Sequence, residues 1–306
     1  MFFESALEGK NQWWRYLVVV LVAFGAAMTI GNIPLLIAVV IAGVKNPDAV
    51  QAIGDNPTDL SSFGLGNNLT LILIVVAFLI GLIAFALMVK PMNGRPLKSF
   101  VNGRKKVRWN RILISFLVWS LLFAIYLIVI VKIDPENYLI NNTGSGLIVL
   151  AITALVFLPF QTTFEEFIFR GYLMQGFGVA FRNKWAPFLI TSILFGLMHA
   201  PNPEVKEFGF LIMMPQYIFI GLVFGLITVL DDGIELAIGA HAANNIFLSI
   251  FVTQKSSAIQ TDALYEQQNV FPGQDSLALL LVSLAFILIM YLIYKWKMAG
   301  AFSFKK

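Results

Sequence analysis

The sequence predicts an all-α fold, a polytopic transmembrane helical bundle, and three observations carry that prediction. Hydrophobic residues make up 58% of the 306 and charged residues only 12%. Mean hydropathy is +0.82, well beyond what one soluble core requires. The apolar residues also fall in runs close to the ~20 that a helix needs to cross a hydrocarbon layer about 30 Å thick.

Six runs are plain: 16–44, 70–89, 112–131, 208–230, 234–252 and 277–294. Two more are irregular. Residues 147–181 are apolar but carry Glu165, Glu166 and Arg170, and residues 187–200 are too short to cross alone at about 1.5 Å of rise per residue. About eight membrane segments are therefore expected. No repeat, low-complexity tract or long linker divides the chain, so residues 1–306 read as a single membrane domain. The first run is too long for a signal-peptide core and lacks a small-residue cleavage site, so it reads as retained.

Charge distribution orients these segments. Residues 90–111 hold Lys90, Arg95, Lys98, Arg104, Lys105, Lys106, Arg108 and Arg111 without an acid. Lys295, Lys297, Lys305 and Lys306 form a second basic set, and Arg182 with Lys184 a third. The connections 45–68, 132–146 and 253–276 instead carry Asp48, Asp55, Asp59, Asp134, Glu136, Asp262, Glu266 and Asp275. The positive-inside rule then puts both termini in the cytoplasm, in what is expected to be a bacterial inner membrane. A basic connection of this kind reads as a topology signal rather than a nucleic-acid site, so lipid is an expected partner and nucleic acid is not. Trp13, Trp14, Trp109 and Trp296 lie at segment ends, where interfacial aromatics belong. The absence of cysteine excludes disulfides, thiolate metal ligands and thiol nucleophiles.

Ionisable groups inside apolar segments are costly and become functional candidates by default. The chain holds both of its histidines in such places: His199 ends Phe195-Gly196-Leu197-Met198-His199, and His241 begins His241-Ala242-Ala243-Asn244-Asn245. Glu165, Glu166 and Arg170 join them. Glu166 and Arg170 stand one helical turn apart and can pair, whereas Glu165 is rotated by about 100° and faces other helices. His241 and Asn245 are likewise one turn apart. If the chain turns at 182–186, Glu165 and His199 lie at similar depth, each about 20 Å in. Pro201 and Pro203 stop the second helix of that hairpin, and the polar residues 202–207 that follow require a wet cavity near His199. His241 lies nearer its own turn at 231–235, so its depth matches only if helices tilt.

Taken singly, a buried histidine or a one-turn ion pair is more often a packing element. Together the five groups and Asn245 supply a base, ligands or cations, and donors for an oxyanion. Two histidines and a glutamate also match a catalytic zinc set with Glu165, His199 and His241 as ligands and Glu166 as base, although HExxH is absent. Both chemistries stay open.

The motifs EExxxR at 165–170, FxxxH at 195–199 and HxxxN at 241–245, in this order and each in an apolar segment, resemble the CPBP family of intramembrane proteases. That family includes the CaaX prenyl endopeptidases of the endoplasmic reticulum and the bacteriocin-processing or self-immunity proteins of bacteria. The resemblance covers a core at 147–252 and leaves 1–146 and 253–306 as additional membrane segments. It implies an endopeptidase acting from an intramembrane cavity on a peptide or protein, with or without a lipid modification. Glu165 and His199 would activate water, His241 and Asn245 would stabilise the oxyanion, and Glu166, Arg170 and Phe195 would support the site. The cofactor it implies is either none or a divalent metal such as zinc. The competing readings are an ion- or proton-coupled transporter and a non-catalytic immunity protein. Transport is disfavoured because only 187–203 reads as a broken helix, where carriers commonly pair two.

Overall fold

The computed structural model describes residues 2–46, 60, 63–103 and 106–304; Asp48, Asp55, Asp59, Arg104, Lys105, Lys305 and Lys306 lie outside them. The protein is an all-α, multi-pass membrane bundle. Among the described residues, six helices are long and apolar enough to cross a membrane: Trp13–Lys45, Asn67–Asn93, Trp109–Ile133, Ser145–Phe181, Phe210–Asp231 and Pro272–Tyr294. Trp185–Met198 is apolar but shorter, and Glu235–Phe251 has 17 residues.

The first span is not one straight helix. It divides into α1 (Trp13–Met28) and α2 (Ile33–Lys45) at a 3-10 turn over Ile30–Asn32, with Pro34 in the first turn of α2 where a missing N–H costs nothing. Next come α3 (Asn67–Asn93), α4 (Trp109–Ile133) and α5 (Ser145–Glu166). A π-helical stretch, Phe167–Leu173, continues α5 into α6 (Met174–Phe181). The hairpin partner α7 (Trp185–Met198) stops at His199, as the prolines predict, and a short α8 (Pro203–Phe208) leads into α9 (Phe210–Asp231). Helices α10 (Glu235–Phe251) and α11 (Pro272–Tyr294) complete the bundle.

Helix α10 is the central element, buried at every residue from Glu235 to Ala243. It packs on α4 and α5, while α7 pairs with α9 and α1 with α3. Lipid offers no hydrophobic drive between helices, so close backbone approach at small residues supplies the packing. A Cβ on Gly239 would overlap the carbonyl oxygen of Ile112, and one on Gly196 would sit 2.9 Å from the Ile218 nitrogen. Gly239→Ala is accordingly expected to force α4 and α10 apart and to cost about 1–3 kcal/mol. An unchanged thermal midpoint in detergent would refute that contact.

The basic connections meet at one end of the bundle. Arg108 bonds Glu235 at 2.5 Å and Asp231 at 3.1 Å, and Arg111 also pairs with Asp231. Trp296 Nε1 donates to Asp231 at 2.9 Å, and the Phe2 N–H donates to Asp232 at 2.8 Å. Both terminal segments thus share the end that holds residues 90–111. The opposite end carries a small sheet in the order β1 (Tyr138–Ile140), β3 (Tyr265–Gln267), β2 (Val252–Thr253). Strands β1 and β3 are antiparallel, with Tyr138 opposite Gln267, and β2 runs parallel to β3.

Residues 90–111 do more than signal topology. Arg95, Phe100, Val101 and Asn102 are buried, the Ile234 N–H donates to the Val101 carbonyl at 2.8 Å, and Asn102 hydrogen-bonds Glu235. A Cβ on Gly171 would lie 2.8 Å from the Phe100 oxygen and 3.5 Å from Ile234. The turn between α9 and α10 is therefore sunk to the level of Gly171, well short of the Arg182 turn, and is roofed by this connection. That placement removes the depth mismatch of His241.

Candidate active site

Two elements deliver the carboxylates and the arginine. Glu165 and Glu166 close α5, and Arg170 lies in the π-helical stretch that follows, a rare conformation that recurs at functional sites. Glu165 is 2% exposed, Glu166 and Arg170 0%, and His241 4%. Charges so far from water require partners.

Glu166 has two. Its Oε1 accepts from Arg170 Nη1 at 2.9 Å and from His241 Nδ1 at 2.8 Å. The expected one-turn pair is present, and the histidine is added to it from α10. Arg170 Nη2 donates to the Gly221 carbonyl at 3.2 Å, and the guanidinium lies 4.1 Å above the Phe195 ring centroid.

Glu165 is held loosely. Its Oε1 accepts from Gln161 Nε2 at 3.3 Å, whereas Oε2 is buried without a hydrogen-bond partner. The nearest basic atom to Oε2 is His241 Nε2 at 3.7 Å, beyond hydrogen-bond reach. Two carboxylates face one guanidinium, so with His241 neutral the cluster carries one uncompensated negative charge. One further proton, held anywhere among these groups, neutralises it.

The second histidine caps α7. His199 Nδ1 lies 2.8 Å from the Phe195 carbonyl oxygen. A carbonyl only accepts, so Nδ1 carries a proton, and in the neutral ring Nε2 presents a lone pair. The imidazole stacks on Tyr217, with centroids 4.5 Å apart and planes 19° apart. Phe195 joins the two halves of the site, its ring 4.9 Å from His199 and 5.7 Å from His241. Asn245, half-buried one turn after His241, accepts at Oδ1 from Asn244 Nδ2 at 3.1 Å, which leaves its own Nδ2 as a donor.

The structure therefore gathers Glu165, Glu166, Arg170 and His241, with Phe195 and His199 beside them. The pairing differs from the sequence expectation in one respect. Among the described residues the imidazole that faces Glu165 is His241, and no contact joins Glu165 to His199. Nor are three His, Asp or Glu side chains grouped as a ligand set for a metal ion among the described residues, so no step is assigned to a metal.

Sequence reasoning missed Gln161, Glu204 and Tyr217. The Tyr217 hydroxyl donates to Glu204, and Asn202 Nδ2 donates to that hydroxyl at 3.1 Å. Both lie where the polar stretch 202–207 called for a wet cavity. A cavity of about 310 Å³ is there, walled by Glu204, Tyr217 and Asn244. Gln216-Tyr217 following Pro215 inside an apolar run was the signal available.

The uncharacterized protein YyaK of Bacillus subtilis (strain 168) is 34% identical over 257 residues, 83% of this chain and 83% of that protein. No solved structure matches the chain. A family model described as type II CAAX prenyl endopeptidase Rce1-like matches residues 144–247, from α5 to beyond Asn245 in α10, and thus holds both glutamates, Arg170 and both histidines. The chain belongs to this Rce1-like family of CAAX prenyl endopeptidases.

Proposed function

We propose that the protein is an intramembrane endopeptidase that hydrolyses a peptide bond with a water activated by Glu165 and imidazole. One observation carries the reading: a carboxylate oxygen, Glu165 Oε2, is buried without a partner 3.7 Å from an imidazole whose other nitrogen is anchored to a second carboxylate. Glu165 takes a proton from water as the water oxygen bonds to the substrate carbonyl carbon. Neutral His199, an acceptor at Nε2, assists on the water side. With a proton on each ring nitrogen, His241 donates through Nδ1 to Glu166 and through Nε2, together with Asn245 Nδ2, to the developing oxyanion. Collapse of the tetrahedral species breaks the C–N bond, and the leaving nitrogen receives the proton held by Glu165. Glu166 and Arg170 hold the geometry.

Purified protein assayed on an apolar peptide tests this. Activity is expected to survive metal removal by a chelator, and Asn245→Ala is expected to lower turnover by roughly 10²–10³-fold, as loss of a preorganised donor does. Activity lost on chelation and restored by zinc would replace this mechanism with a metal-dependent one.

The basic end is assigned to the cytoplasm, and both termini with it. The chain contains no cysteine, so single cysteines report cleanly. Lys98→Cys is expected to react with an impermeant maleimide only after the cells are opened, and Gln268→Cys in intact cells. The reverse pattern would invert the topology.

A further inference from the structure

The cavity beside the site reaches from Tyr217 and Asn244 to the sheet end of the bundle, between α4, α9, α10 and α11. Its walls are largely aliphatic and aromatic, with Phe123, Leu127, Ile220 and Phe247 among them. Its polar groups are unbalanced. The lining contains two carboxylates, Glu204 and Asp275, and no lysine, arginine or histidine. Three acceptor oxygens in that lining, Glu204 Oε2, Gln216 Oε1 and Gln254 Oε1, are buried without a hydrogen-bond partner.

Glu204 makes this more than an acidic cluster. It is only 9% exposed. Its other oxygen takes one neutral donor, the Tyr217 hydroxyl, with Asn202 Nδ2 at 3.4 Å, and neither compensates a full charge. Unpartnered acceptors on residues that line one pocket gain a partner if their side chains turn to a donor from outside the protein, and a carboxylate among them favours a positive one. The approach has the same sign: connections 132–146 and 253–276 hold Asp134, Glu136, Asp262, Glu266 and Asp275 against Lys132 and Lys255.

The cavity adjoins the chemistry without containing it. Tyr217 stacks on His199, and Asn244 orients Asn245, while Glu165 and His241 are absent from the lining. A molecule seated there lies alongside the reacting centre, as a substrate segment flanking the cut would. We propose that the cavity selects peptide substrates by a cationic side chain, lysine or arginine, bound at Glu204 and Asp275, with apolar neighbours against Phe123 and Phe247. This rests on the endopeptidase reading for its location. It also disfavours a carboxylate seated in this cavity, whose lining holds two carboxylates and no basic side chain.

The test uses the full-length protein in neutral maltoside micelles and N-acetylated, C-amidated fluorescent apolar peptides that differ only by Lys, Gln or Glu at one central position. Fluorescence anisotropy is expected to give a Kd for the Lys peptide at least about tenfold below that for the Gln peptide, the scale of one charge-assisted hydrogen bond, with the Glu peptide weakest. Glu204→Gln is expected to shrink that preference. Asp275→Asn, at the half-buried mouth, is expected to shrink it too and covers the case in which the Glu204 variant does not fold. Equal affinity for the three peptides overturns the proposal, as does a preference that appears only when the N-terminal amine is unblocked. The same peptides separate this idea from the one beneath it. Cleavage without a cation preference sinks the cavity assignment alone, whereas a cation preference with no cleavage of any peptide sinks the endopeptidase reading and leaves the cavity assignment standing.

Discussion

Glu165→Gln is expected to depress turnover by roughly 10²–10⁴-fold, the usual contribution of a positioned general base, with little change in thermal stability. The substitution keeps the shape of the side chain and removes only its capacity to accept a proton. Its structural bonds are weak: one hydrogen bond from Gln161 at 3.3 Å and no partner at Oε2. Rates on a fluorogenic peptide, read beside the melting temperature of the same detergent preparation, check both halves. Wild-type activity in this variant would remove Glu165 from the chemistry and with it the reading of the whole cluster as a hydrolase.

Much of this site was legible because ionisable residues are so rare in apolar segments that each stands out. Glu166 and Arg170 pair as their spacing requires, and α7 ends at His199, just ahead of Pro201 and Pro203. The partner of His241 was not legible. Helical rise measured from the 231–235 turn put His241 too shallow, because nothing in the sequence says that this turn is sunk beneath Val101, Asn102 and Arg108. That burial depends on tertiary pairs, Ile234 with Val101 and Glu235 with Arg108 and Asn102, between positions more than 120 residues apart. The π-helical stretch at Phe167–Leu173 was hidden for a related reason: its residues are the same apolar and aromatic types that build an α-helix, and the wider turn is a tertiary adjustment. The bend at Ile30–Asn32 had a sequence cue in Pro34, but an N-terminal-turn proline is compatible with an unbroken run and does not mark a break by itself. Glu204 escaped notice because a glutamate in a polar stretch looks solvated until the fold buries it.

Glu166→Gln is expected to unfold the site where Glu165→Gln leaves it intact, at a cost of about 3–5 kcal/mol for breaking a buried ion pair from one side. Glu166 Oε1 is the acceptor for both Arg170 Nη1 and His241 Nδ1. With a neutral amide there, the fully buried guanidinium loses its hydrogen-bonded carboxylate and keeps the Gly221 carbonyl, the faces of Phe195 and Phe224, and the charge of Glu165 without a hydrogen bond to it. No charged group then accepts a hydrogen bond from Arg170, whose Nε already has no hydrogen-bond partner. Removing both members should therefore hurt less than removing one: Glu166→Gln combined with Arg170→Met is expected to recover part of the loss, because the guanidinium is no longer buried without its hydrogen-bonded carboxylate. A double-mutant cycle read by thermal or denaturant unfolding in detergent gives the coupling energy. Additive losses, or equal stability for Glu165→Gln and Glu166→Gln, would contradict the division between a carboxylate that reacts and one that holds the arginine and the histidine in place.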